Sequence, residues 1–286
     1  MEQAATFSPK ERALRDYDEN FITYWKRAFS QLKAASEKEN RMWLVGPTAY
    51  LFSIGGVKFA VDLQIRRETD MALLAPGLSE DLRALSFVLI THQHDDHFCI
   101  PLIRQAQELA ITWYLPQNMP AKFAEAAGIR TENVKLLQAG DRFSVGPLTV
   151  SAFYTPHAQR GAEPYPQLGY WLKTPLGSVL LPADVRDYGF RDYPAFGPVD
   201  LCISHVWAGN DAINECAYTP LLEQFAQFSL QFGAKRYFLC HLYEIGRAPQ
   251  YLWHEGHARQ AAGLLVKQDP HIQVDVPRLG CSYELF

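Results

Sequence analysis

Apolar residues follow a helical spacing near the start of the chain and short, nearly continuous runs after it. Leu14, Tyr17, Phe21, Tyr24, Trp25, Ala28 and Leu32 form one stripe. Their period predicts a helix over 8–39. Ser8 is placed to cap it, Pro9 suits the first helical position, and Glu11 completes a capping box. A stripe this rich in aromatics packs against the body of the protein or serves as a homo-oligomer contact. From residue 42 the pattern turns to strands, predicted over 42–45, 49–54 and 57–62, with Gly55-Gly56 marking a hairpin. A helix over 80–85 leads into a strand over 87–90. Next come a helix over 100–109, a strand over 111–115, and a helix over 121–127 closed by Gly128. Strands follow over 134–137 and 148–154. The second half alternates likewise. A hairpin pairs 170–174 with 178–181, strands run over 200–204, 236–240 and 272–276, and helices over 221–232 and 253–267. No linker, repeat or low-complexity tract interrupts the series. It predicts an α/β sandwich with one continuous core over 42–286, preceded by a helical extension over 1–41.

Composition narrows the function classes. The chain has 286 residues, 48% of them hydrophobic and 20% charged, as in ordinary globular proteins. A formal net charge of −4 argues against bulk nucleic-acid binding, which needs a basic face. No apolar run approaches the roughly 20 residues of a membrane span. The first residues lack the basic and apolar regions of a signal peptide. The five cysteines form no paired spacing. Both points lead us to expect a cytoplasmic protein.

The chemistry concentrates in Thr91-His92-Gln93-His94-Asp95-Asp96-His97-Phe98, directly after the apolar run 87–90. Three imidazoles and two carboxylates lie within six positions of a chain that has nine histidines. Such a loop on a rigid strand end offers imidazole nitrogen and carboxylate oxygen, which suit zinc and similar cations. Four more metal-compatible residues follow apolar strands: Asp62, His157, Asp184 and His241. Strands that end on one sheet edge would bring these loops together.

The order and context of these residues resemble the metallo-β-lactamase superfamily of metal-dependent hydrolases. Its HxHxDH signature corresponds to His92, His94, Asp96 and His97, and the resemblance covers about residues 42–286. It implies a four-layer αββα sandwich and two divalent metal ions, zinc first, with manganese or iron as alternatives. His92, His94 and His157 would hold one metal, and Asp96, His97 and His241 the other. Asp184 would bridge them, and Asp62 would orient a ligand histidine through its other nitrogen. Asp95 would ligate neither. A shared water of lowered pKa would then attack the substrate, with Asp96 among the catalytic groups.

Other residues bear on the reaction. His205 follows the strand over 200–204, in the interval where the phosphodiesterase branch, including the tRNA 3′-end endonucleases, carries a histidine proton donor. The acidic motif of that branch is absent around it. Arg160, Arg186, Arg191 and Arg247 lie near ligand loops, and guanidinium forks suit anionic groups. Arg160 and Arg186 are the candidates for substrate binding. Tyr188, Trp207 and Tyr243 could wall a pocket. Cys240 reads as core, and Cys99 replaces no ligand. The Pro156-His157-Ala158 context departs from the glyoxalase II branch. The chain most resembles the cytoplasmic group that includes the ascorbate-6-phosphate lactonases. The expected reaction is hydrolysis of a small anionic lactone or phosphate ester. The alternatives are a phosphodiesterase on a nucleotide or lipid headgroup, with His205 as donor, and a mononuclear iron dioxygenase of the same fold.

Overall fold

The computed structural model describes residues 9–157, 167–208, 219–244 and 253–286. Ser8, Arg160 and Arg247 lie outside them. Two seven-stranded sheets pack face to face. The first holds β1 (Arg41–Leu44), β2 (Tyr50–Ile54), β3 (Val57–Val61), β4 (Phe87–Leu89), β5 (Thr112–Pro116) and β6 (Val134–Leu137) in that order. The second runs from β7 (Arg142–Val145) through β8 (Leu148–Tyr154), β9 (Leu168–Lys173), β10 (Ser178–Ala183), β11 (Val199–His205) and β12 (Ala234–Cys240) to β13 (Gln273–Asp275). A last strand, β14 (Ser282–Glu284), returns to the first sheet beside β1.

The alternation of side chains on the strands builds three apolar layers. On β1, Met42 and Leu44 face the second sheet, while Trp43 points outward to the helices. The outer face of the first sheet is covered by α1 (Pro9–Ala34), α2 (Glu68–Leu82), α3 (Ile100–Gln105) and α4 (Ala121–Ala127). The outer face of the second carries α5 (Thr219–Leu230) and α6 (Glu255–Gln268). The result is the expected αββα sandwich with its N-terminal helix.

The aromatic stripe of α1 is spent inside this protomer. Tyr17, Phe21, Trp25 and Phe29 are all buried. Each large apolar side chain contributes about 2–3 kcal/mol by burial, and Trp25→Ala would cost about 3–5 kcal/mol. The indole N–H of Trp25 donates to Asp81 at 3.2 Å and that of Trp43 to Gln31 at 2.8 Å. Neither polar edge is buried unsatisfied. Among the described residues no helix is long and apolar enough to cross a membrane.

Several elements differ from the sequence expectation. α1 ends at Ala34, not 39. α2 is a full helix where only its end was expected, because it tolerates Pro76 in its interior. Leu74, Leu78 and Leu82 recur at i+4 and pin it to the sheet, and this packing overrides the Pro-Gly break. α3 stops at Gln105, short of 109. The edge strands β7 and β14 were not anticipated; both are short and half exposed.

Although the sequence shows no repeat, the two sheets share one topology. β1–β3 pair antiparallel and β3–β6 parallel. β8–β10 pair antiparallel and β10–β13 parallel. The chain therefore leaves β3, β4, β10, β11 and β12 on one edge of the sandwich, and the candidate residues collect there.

Candidate metal centre

Asp62 anchors the first loop. It follows β3 in the left-handed region (φ 51°) and is fully buried. Its carboxylate accepts the Thr91 backbone N–H and the Thr91 hydroxyl, each at 2.7 Å, and faces His97 Nδ1 at 2.8 Å. A carboxylate accepts, so Nδ1 of His97 carries a proton and Nε2 is the nitrogen left to offer a cation. The Thr91 hydrogen is used on Asp62. Its oxygen therefore accepts from His92 Nδ1 at 3.0 Å, which leaves a lone pair on His92 Nε2. His157 Nδ1 lies 2.5 Å from the Asp184 carbonyl oxygen, again an acceptor only, so His157 Nε2 is a lone pair too.

These locked rings point inward. His92 Nε2 and His157 Nε2 lie 3.0 and 3.1 Å from His94 Nδ1. One N–H on His94 could satisfy only one of them. The trio forms one group whose donor atoms lie within 4.8 Å of one another. Asp96, His97, Asp184 and His241 form a second group on the same criterion. There, His97 Nε2 is 3.5 Å from Asp96 and 3.5 Å from Asp184. His241 Nε2 is 3.5 Å from Asp96 and 3.4 Å from Glu244. Nε2 of His97 and both ring nitrogens of His241 are buried without a hydrogen-bond partner. Each such orphan costs about 1–3 kcal/mol. A cation removes that cost, so the residues present fit a divalent metal.

The electrostatics follow from burial. Burial, with His97 nearby, pushes His92 well below the ordinary imidazole range. It takes His157 down to about 4 and also lowers His94. In the second group burial acts the same way on His97 and His241 but is outweighed by carboxylates. His97 is raised well above its ordinary value by Asp96, Asp184 and Asp62. His241 is raised to about 9, chiefly by Asp184 and Asp96. Burial would raise Asp96 and Asp184, but the facing histidines hold both below the usual carboxylate range. Two carboxylates facing two protonated imidazoles thus balance the second group, and a bound cation would take the place of the protons on the inward ring nitrogens.

The remaining candidates are placed as follows. Asp95 is exposed and pairs with Arg66 at 2.7 Å. His205 ends β11 with both nitrogens engaged. Nδ1 is 2.6 Å from Asp184 Oδ1 and Nε2 is 2.7 Å from the hydroxyl of Tyr50. Tyr50 is wholly buried between the sheets. Arg186 Nη2 is 3.5 Å from Asp184 Oδ2, and its guanidinium lies over Trp207, 4.7 Å from the ring centroid. Arg191 instead bonds the Tyr188 and Phe190 carbonyls. Tyr188 donates to the Trp207 carbonyl. Cys240 packs between the sheets, and Cys99 donates to the Ile65 carbonyl. Thr91, Tyr50 and Glu244 had no role in the sequence expectation, although Thr91 opens the histidine loop and its hydroxyl could have been found there. The other two carry no local signal.

The described non-glycine residues with positive φ are Asp62, Ala183, His241 and Tyr243, and all flank this centre. Left-handed backbone costs about 1–2 kcal/mol for such residues. Strain of this kind gathers where side chains must be aimed.

Known proteins share this fold. CmlA, a diiron beta-hydroxylase from Streptomyces venezuelae, superposes with a TM-score of 0.62 at 18% identity, over 86% of this chain and 54% of that one. YhfI from Bacillus subtilis, a metallo-beta-lactamase fold protein, gives 0.59 at 18% identity over 86% and 100%. Yeast PDE1 gives 0.55 at 12% identity over 86% and 99%. At such identities the likeness is one of fold. A UPF0173 protein from Pyrococcus abyssi is 32% identical over 97 residues, which span 33% of this chain and only 42% of that relative. Residues 61–242, from the end of β3 to just beyond His241, match the Beta-lactamase superfamily domain. The chain, with its αββα sandwich and its histidine loop at the strand ends, belongs to that superfamily.

Proposed function

We propose that this protein is a binuclear metal-dependent hydrolase acting on a small anionic substrate, a lactone or a phosphate ester. The observation that carries the reading is the inward set of Nε2 atoms on His92, His97 and His157, whose Nδ1 sides are held by Thr91, Asp62 and the Asp184 carbonyl. His92, His94 and His157 would hold one cation. Asp96, His97 and His241 would hold the other, with Asp184 between them. A cation pair in such a site supplies hydroxide near neutral pH and polarises the bond under attack.

The chain's own residues supply the rest. Asp62 fixes the His97 tautomer and, through Thr91, that of His92. Arg186, stacked on Trp207 beside Asp184, offers a fork to an anionic group. Arg160 remains a candidate for the same task. His205 serves as a positioning residue: its Nδ1–H orients Asp184, while its Nε2 accepts from Tyr50. To act as proton donor, as the phosphodiesterase alternative requires, the ring would have to leave Tyr50. Nitrogen and oxygen donors without thiolate suit zinc, manganese or iron. CmlA is a diiron hydroxylase of this fold, so an iron-dependent oxidation is the second reading.

The test is metal analysis of protein purified without added metal, followed by turnover assays on lactones and phosphate esters. Two equivalents of metal and hydrolysis of one class are expected. Oxygen uptake by an iron-loaded protein that hydrolyses neither would refute the hydrolase.

A further inference from the structure

A cavity of about 470 Å³ lies beside the second group of donors, with His241 in its wall. The volume falls within the roughly 300–1,000 Å³ of small-molecule pockets. Its lining is mainly apolar: Tyr17 from α1, Leu44 from β1, Leu242 after β12, and Val276 and Leu279 after β13. Asp16, Glu255 and Arg278 supply charge around it. The first two have partners already, since Tyr24 donates to Asp16 at 2.8 Å and Arg259 pairs with Glu255 at 2.7 Å. An anionic group gains little from a cavity with two carboxylates and one guanidinium. A hydrocarbon group gains from its walls. Arg186 does not line the cavity; it sits 3.5 Å from Asp184 Oδ2, and its charge acts on His94 and His157 of the first group. Most of the cavity wall also falls outside residues 61–242, so it is built by parts of the chain beyond the matched superfamily domain.

We propose that this cavity receives a hydrocarbon arm, acyl or aryl, of the substrate, and that α1 is a wall of the specificity pocket. The inference rests on the hydrolase reading for the position of the reacting group. The anionic end lies towards Arg186, the scissile bond lies at the two donor groups, and the apolar arm extends past His241 towards Tyr17 and Leu279. The substrate class is therefore an amphipathic anion, not a compact sugar phosphate.

The probes are n-alkylphosphonates from ethyl to octyl, which carry the anion and are not hydrolysed. Their binding to the metal-loaded protein is measured by calorimetry. Kd should fall about fourfold per added methylene, the value of burying one CH2, until the cavity is filled. Val276→Trp should flatten that dependence for the long members and leave the short ones unchanged. Leu279→Phe is the second filling variant should the first fail to fold. Arg186→Gln should weaken every member by the same factor. A Kd independent of chain length, or a slope unchanged in folded filling variants, would overturn the proposal. Length-dependent binding without turnover of any ester or lactone would remove the hydrolase and leave the cavity's role standing.

Discussion

Replacing His205 separates two roles with different signatures. In the structure its Nδ1–H donates to Asp184 at 2.6 Å, and its Nε2 accepts from Tyr50 at 2.7 Å. A hydrogen bond to a buried charged group contributes about 1.5–3 kcal/mol. Asp184 is buried, so little of this is screened by solvent. If the bond orients Asp184 for a cation, His205→Ala should weaken metal binding by about 10- to 100-fold, at about 1.4 kcal/mol per decade. His205→Asn keeps a donor near the Nδ1 position and cannot transfer a proton. It should hold metal within a few-fold of the parent. It should still lose some stability, because the Tyr50 hydroxyl keeps only its weaker hydrogen bond with the Cys240 thiol. A general acid behaves otherwise: its loss costs about 10²- to 10⁴-fold in kcat, in Asn and Ala alike, with metal content unchanged. The assay is competition with a chromophoric chelator, alongside thermal melting and steady-state kinetics. Equal metal affinity in Ala, Asn and parent proteins would refute the positioning role.

Three further outcomes are expected. Asp62→Asn should lower metal affinity about 10- to 100-fold, because the amide cannot accept from Thr91 N–H, Thr91 Oγ1 and His97 Nδ1 together; chelator competition reads this. Asp96→Asn should reduce bound metal from about two equivalents towards one in elemental analysis, since it alters only the second group. Metal-free protein should be most stable near pH 6.5 in melting scans. Folded His241 keeps its proton up to about 9 while the unfolded chain releases it near 6.5, so this contribution is complete below 6.5 and lost as pH rises through 9. His157, at about 4 when folded, acts oppositely, and stability falls as pH drops from 6.5 towards 4. Metal-loaded protein should not show the decline above 6.5, because ligand histidines are neutral.

Much of the centre was legible because its chemistry needs particular residue types at strand ends. His92 to His97 form one short segment. His157, Asp184 and His241 each follow an apolar run, so period alone places them on a sheet edge. Tyr50 is different. Its hydroxyl matters only because β2 faces β11 across the sandwich, and no local pattern encodes a contact between sheets. Glu244 shares that limit, as it reaches His241 through a turn that contains the left-handed Tyr243. The fold was legible wherever burial produced a clean period. It failed at α2, where three leucines on the sheet outweigh a proline. It failed again at β7 and β14, whose half-exposed edges alternate too weakly to stand out.

The shared topology of the two sheets bears on how the molecule comes apart. Each donor group draws from both halves: His92 and His94 with His157, and Asp96 and His97 with Asp184 and His241. Neither sheet carries a complete set. Cations bound as proposed would act as rivets across the seam, closing chain loops far longer than any hairpin. Their main effect would then fall on the lifetime of the folded state. A chelator would act as a release catch, and metal-free protein should be cut by proteases faster than metal-loaded protein.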